Sequence, residues 1–131
     1  MFPPELERKA FRADNGEYGW TREQIPQVVN SLRSQGLAIL GGELWWVREG
    51  STAWDLIPQE DGRRAVYTWS GDRFPEESWQ DFVDRGAVDA LAHAKRWPAD
   101  LGLPPNAKGR ILCNLSWVSE LEFDQPKRTN H

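Results

Sequence analysis

The sequence predicts an α+β fold: a four-stranded, mainly antiparallel sheet with two helices on one face, in the order α-β-β-β-α-β. Three observations predict it. Apolar residues recur at helical spacing in two stretches, around 25–32 and 79–94. Between these stretches, three strand-like runs are joined by short turns. A fourth run, Arg110 to Val118, follows the second helix after a proline-containing loop. That crossover would also permit a mixed sheet. The 131 residues read as one domain over 1–131, with 1–20 a lead-in segment and 125–131 a frayed polar tail.

In the lead-in, Leu6 to Ala13 has the composition of a short helix, and Asp14-Asn15-Gly16 ends it as a turn. Thr21-Arg22-Glu23-Gln24 is a capping box, so the next helix starts at 21 or, with Pro26 in its first turn, at 25. Ile25, Val28, Val29 and Leu32 form its buried stripe, and Gly36 ends it.

Leu37 to Val47 is the strongest strand signal. Its interruption at Gly41-Gly42 points to a bulge or a close backbone approach. Glu49-Gly50-Ser51 is a turn, Thr52 to Ile57 a second strand, and Arg64 to Ser70 a third. The loop Gln59-Glu60-Asp61-Gly62, with its Asp-Gly pair, joins the last two as a hairpin. Pro75 to about Arg96 reads as a helix, entered by Pro75 or capped at Ser78. Trp79, Phe82, Val83, Ala87, Ala90, Leu91 and Ala94 line one side of it. Gly86 inside this helix costs about 1 kcal/mol relative to alanine. In the last strand Ile111, Cys113, Leu115 and Trp117 share one face, and Asn114 and Ser116 the other.

The single cysteine, Cys113, excludes an intrachain disulfide and fits a reducing cytoplasm. No apolar run suits a signal peptide or a membrane span. Net charge is −4, and Asp72 to Asp84 carries that whole excess, with Asp72, Glu76, Glu77, Asp81 and Asp84 against Arg73. No basic stripe exists, which argues against a nucleic-acid partner. The acids are either ordinary charge matched to a helix N-terminus or a patch for a basic protein.

No catalytic set emerges. Cys113 sits at an inward strand position, and His93 lies near a helix end as a surface cation. One cysteine and two histidines give no metal-ligand spacing, and Gly41-Gly42 lacks a phosphate-loop lysine, so neither a metal nor a cofactor is expected. A hydrolase using a carboxylate pair such as Glu43 and Asp55 is a minor alternative.

The eight tryptophans are more informative. Neighbours in a strand point to opposite faces, so Trp45 and Trp46 cannot serve one core together. If Leu44 and Trp46 face the helices, Trp45 lies with Glu43 on the far face, under residues 1–20 or under a partner. Glu43, Asp55, Asn114 and Glu120 supply polar edges beside the rings. The partner-binding candidates are therefore Glu43, Trp45, Trp54, Asp55, Trp69, Glu76, Glu77, Asp81, Asn114 and Glu120. A carbohydrate platform built from Trp45, Trp54, Trp69 and Trp117 is the alternative.

Gly36-Leu37-Ala38-Ile39-Leu40-Gly41-Gly42-Glu43-Leu44-Trp45 resembles a pattern in immunity protein family forty of bacterial polymorphic toxin systems. In that pattern a helix leads into a strand ending in Gly-Gly-Asp and then apolar or aromatic residues. Gly41 and Gly42 match, and Glu43 stands in place of the aspartate. The resemblance spans roughly residues 20–48. It implies a non-catalytic, single-domain cytoplasmic protein that binds and neutralises a cognate toxin, with a basic toxin domain suiting the acidic charge.

Overall fold

The computed structural model describes residues 2–48, 53–97, 104 and 107–124. The turn at 49–51, most of the 98–109 loop and the tail at 125–131 lie outside the described residues.

The first helix, α1, spans Pro4–Lys9 and ends sooner than its composition suggests. Ala10 is already extended, and Phe11–Arg12 (β1) pairs antiparallel with Tyr18–Gly19 (β2). The expected helix over Leu6–Ala13 thus stops halfway, and Phe11–Arg12 is strand. Tertiary packing overrides local propensity here, because Phe11 turns its ring edge-on to Trp45, 6.4 Å between centroids. The turn at 14–16 is present, with Gly16 at φ 87°.

The capping box forms as read: Gln24 accepts the Thr21 N–H at 3.0 Å and closes a single 3-10 turn, Arg22–Gln24. Helix α2 follows over Ile25–Ser34, with Ile25, Val28, Val29 and Leu32 fully buried. Gly36 takes φ 71° as the chain leaves it. Strand β3, Ala38–Val47, runs through the middle of the main sheet.

The second and third strands are more broken than expected. Ala53–Trp54 (β4) pairs with the far end of β3, and then the chain bends away. Ile57–Pro58 (β5) and Arg64–Ala65 (β6) make a separate small hairpin, with Gly62 at φ 84° in its turn. Thr68–Ser70 (β7) rejoins β3 opposite Gly41 to Glu43. Strands β4 and β7 therefore share one edge of β3, β7 along its middle and β4 at its end.

Helix α3, Trp79–Lys95, starts at Ser78, whose hydroxyl accepts the Asp81 N–H at 3.1 Å; Pro75 lies outside it. Gly86 has a structural role here: a Cβ at this position would sit 2.7 Å from the Ile39 carbonyl oxygen, so helix and sheet meet backbone to backbone. Strand β8, Arg110–Val118, pairs antiparallel with β3 along its length, so the main sheet is antiparallel throughout. A short helix, α4 (Glu120–Asp124), was not anticipated; Ser119 and Glu122 cap it reciprocally.

The sheet has two covered faces. On one, α2 and α3 pack against Ile39, Leu44, Cys113 and Leu115. Trp20, fully buried, joins this core and donates its indole N–H to the Leu6 carbonyl at 3.2 Å. On the other face Trp45, Val47 and Leu112 pack under Phe11 and Ala13 of the β1–β2 hairpin. Trp46 and Trp45 thus serve different cores, as strand alternation requires.

His93 does not lie on the open surface. It is half-buried and stacks on Trp69, 4.6 Å between centroids and 15° between planes. The flat ring of Trp69, held by β7 beside α3, gives the imidazole an apolar partner.

Candidate functional site

The second face of the sheet builds a set of connected grooves. Their origin is local. The register between β3 and β8 slips by one residue between Ile39 and Gly41, leaving Leu40 as a bulge. Gly41 and Gly42 follow, and neither position has room for a side chain. On the second face a Cβ on Gly41 would strike the Trp69 carbonyl oxygen and lie 2.9 Å from Ser70 Cα, and on the helix side one on Gly42 would lie 2.6 Å from the Trp69 ring. The floor is therefore bare backbone, as the Gly-Gly pair suggests.

Above this floor is a groove of about 290 Å³ whose walls include Glu17, Glu43, Thr68, Ser70 and Ser116. A second groove, about 310 Å³, continues past Glu43 and Trp45 to Asp14, Glu17 and Asp55. A third, also about 310 Å³, lies on the other side of Glu17, between Tyr18 and residues 114–117. Glu17 lines all three. Among the described residues, the charged ones on the walls are Asp14, Glu17, Glu43 and Asp55, with no lysine, arginine or histidine.

Each carboxylate is held differently. Glu43 is placed by β3 and accepts the Trp45 indole N–H at 2.8 Å, which tethers it to the sheet. Glu17 follows the hairpin turn; it accepts the Asn15 amide N–H at 3.2 Å, and its own N–H donates to the Asn15 side-chain oxygen at 3.0 Å. Asp14 and Asp55 are exposed. Among the described residues, none of the four takes part in an ion pair.

The acids around α3 contrast with this. Arg85 clamps Glu77 through two hydrogen bonds of 2.7 and 2.8 Å, and the Phe74 N–H adds a third at 3.1 Å. Chiefly through Arg85, the Glu77 carboxyl is held down at about 2. Asp84 is paired with Arg33 at 2.8 Å. Much of this segment's negative charge is balanced within the chain; Glu76 and Asp81 stay exposed.

The residues singled out from sequence are thus divided. Glu43 and Asp55 come together in the second groove, and Asn114 lines the first and third, donating to the Tyr18 carbonyl at 2.9 Å. Trp45 and Asn114 are 5% exposed beneath the chain's own hairpin, so they shape the grooves more than they offer surface. Trp69 borders the first groove while its ring packs toward α3. Trp54 is half exposed, but it pairs with Trp46 and points away from Ala53 and Asp55. Glu76, Glu77 and Asp81 cluster at the start of α3, and Glu120 begins α4.

The four rings suggested as a carbohydrate platform do not share a surface. Trp45 lies on one face, Trp69 stacks on His93, Trp117 packs edge-on to Phe2 at 5.5 Å, and Trp54 stands at the sheet margin. Cys113 is fully buried, and desolvation, helped by the nearby Glu43 charge, pushes its thiol well above the usual range. Such a thiol is a core residue.

Asp14 and Glu17 were missed from sequence. The available signal was the Asp-Asn-Gly-Glu turn between Phe11-Arg12 and Tyr18-Gly19, which reads as a hairpin once Phe11 is given to a strand.

Among the described residues, no cluster of His, Cys, Asp and Glu is arranged to hold a metal ion, and no helix is long and apolar enough to cross a membrane. No curated protein and no solved structure matches the chain. A family model described as Immunity protein 40 does match, over residues 9–100. That span runs from the β1–β2 hairpin through α3 and includes all four groove carboxylates and the Gly41-Gly42 floor. With well over half of its 131 residues matched, the chain belongs to the immunity protein 40 family.

Proposed function

We propose that this immunity protein binds and neutralises a cognate toxin, without catalysis, and that the acidic grooves of the second sheet face receive basic side chains of that toxin. The observation that carries the reading is the set of four carboxylates, Asp14, Glu17, Glu43 and Asp55, that line connected grooves with no cation among them. Like charges gathered without a counter-ion repel one another and weaken the isolated fold. A partner that brings lysine or arginine removes the repulsion and gains charge-assisted hydrogen bonds. The acids of α3 are the weaker candidates, because Glu77 and Asp84 already have arginine partners.

The test takes the product of the adjacent gene as the candidate toxin and measures binding to it and protection of cells from it. The double substitution Glu17→Lys/Asp55→Lys is expected to weaken binding by about tenfold or more, chiefly at low salt, and to remove protection of co-expressing cells. Glu76→Lys/Asp81→Lys should change affinity much less. The reverse ranking would move the binding surface to α3. Failure of the unaltered protein to bind or protect would overturn the reading altogether.

A further inference from the structure

Strand β8 has an open edge. Cys113 exchanges both of its backbone hydrogen bonds with Trp20, the Trp20 N–H donating at 2.9 Å and the Cys113 N–H at 2.7 Å. These groups point away from β3. By strand alternation the N–H and C=O of Leu115 and Trp117 point the same way. No strand meets them there. Beyond Trp20 the chain diverges, because Gly19 and Tyr18 pair instead with Phe11 and Arg12. Among the described residues, Leu115 and Trp117 have no backbone partner on this side.

The divergence leaves a wedge, which is the third groove, bordered by Glu17, Tyr18 and residues 114–117. The Asn114 amide, donating to the Tyr18 carbonyl at 2.9 Å, closes its narrow end. Phe2 packs edge-on to Trp117 and Leu115 is only 3% exposed, so the lead-in segment shields this edge, but the strand itself carries none of the sequence devices that block pairing. Leu115-Ser116-Trp117-Val118 contains no proline, no lysine and no bulge; the bulge at Leu40 belongs to the partner strand β3. The side chains of Leu115 and Trp117 pack with the helix-side core, so it is their backbone that borders the wedge.

We propose that an extended, basic segment of the toxin adds to this edge as a further strand and pairs with the backbone of Leu115 and Trp117. The proposal rests on the toxin-binding reading above and gives it a mode. The occupant's charge follows from the walls. Among the described residues, Glu17 is the only charged one lining the wedge, and it also lines the groove that holds Glu43. In an added strand alternate side chains fall on one face, so a lysine or arginine on the second face would reach these carboxylates. A second copy of this chain fits poorly, since two acidic walls would face each other in a protein of net charge −4.

The experiment measures backbone amide exchange by NMR on the full chain, free and bound to the product of the adjacent gene as the candidate toxin. Leu115 and Trp117 amides are expected to exchange about tenfold more slowly, or slower still, in the complex. A complex that forms while both amides exchange at their free rates overturns the strand-addition proposal and leaves toxin binding standing. Absence of any complex overturns both. A pair of variants gives an independent reading. Trp117→Ala and Trp117→Pro both lose the ring, but only proline also loses the outward N–H. Trp117→Pro should bind the toxin several-fold more weakly than Trp117→Ala; equal affinities for two folded variants count against the proposal.

Discussion

Gly86 of α3 and Ile39 of β3 touch backbone to backbone: a Cβ on Gly86 would stand 2.7 Å from the Ile39 carbonyl oxygen and 3.3 Å from its nitrogen. Replacing Gly86 by alanine would gain about 1 kcal/mol of helix propensity. It would also force α3 off the sheet, and a backbone oxygen cannot rotate out of the way. Overpacking of this kind costs about 1–3 kcal/mol. Gly86→Ala is therefore expected to destabilise the fold, read as a lower urea midpoint. Gly71→Ala is the control, since its Cβ would meet only the Arg85 guanidinium at an ordinary contact distance of 4.0 Å; it should leave the midpoint nearly unchanged.

The Glu77–Arg85 pair gives stability a defined pH dependence. Its carboxyl is lowered from 4.5 to about 2 in the folded chain. A depressed carboxyl stabilises the fold above its unfolded value, and that contribution is lost as pH falls through the folded value. Stability should thus decline between about 4.5 and about 2. Glu77→Gln should flatten the profile in that window. Equal slopes in chemical denaturation of the two proteins would refute the linkage.

The tryptophans should separate by burial. Trp20 is fully buried and hydrogen-bonded to Leu6. Trp20→Ala should cost about 3–5 kcal/mol, enough to unfold a marginal domain. Trp54 is 50% exposed, and Trp54→Ala should cost under about 1 kcal/mol by urea denaturation.

What the sequence revealed follows the range of the interactions involved. The Thr21–Gln24 box, the α2 stripe and the Ser78 cap depend on residues within one or two helical turns, and all are present. Strand β8 was legible because its alternation runs nine residues. The β1–β2 hairpin was not, since Phe11 becomes strand only by meeting Trp45 across the sheet. The second and third strands broke because β3 offers them one shared edge, whose occupancy depends on pairing rather than composition. The site shows the same division. Glu43 and Asp55 were found on strand-like runs beside aromatic residues. Asp14 and Glu17 gain their places only when the hairpin folds over the far face.

That hairpin also separates two tasks within one short segment. Its turn is closed locally, the Ala13 N–H donating to Glu17 and the Gly16 N–H to Ala13, both at 2.9 Å. Its anchoring rings, Phe11 and Tyr18, lie just outside the turn. The side chains of residues 14 and 17 can therefore be rewritten while the clasp on the sheet stays intact. Two of the four groove carboxylates ride on this small exchangeable tip, so the charge lettering of the groove can drift between lineages without eroding the scaffold beneath it.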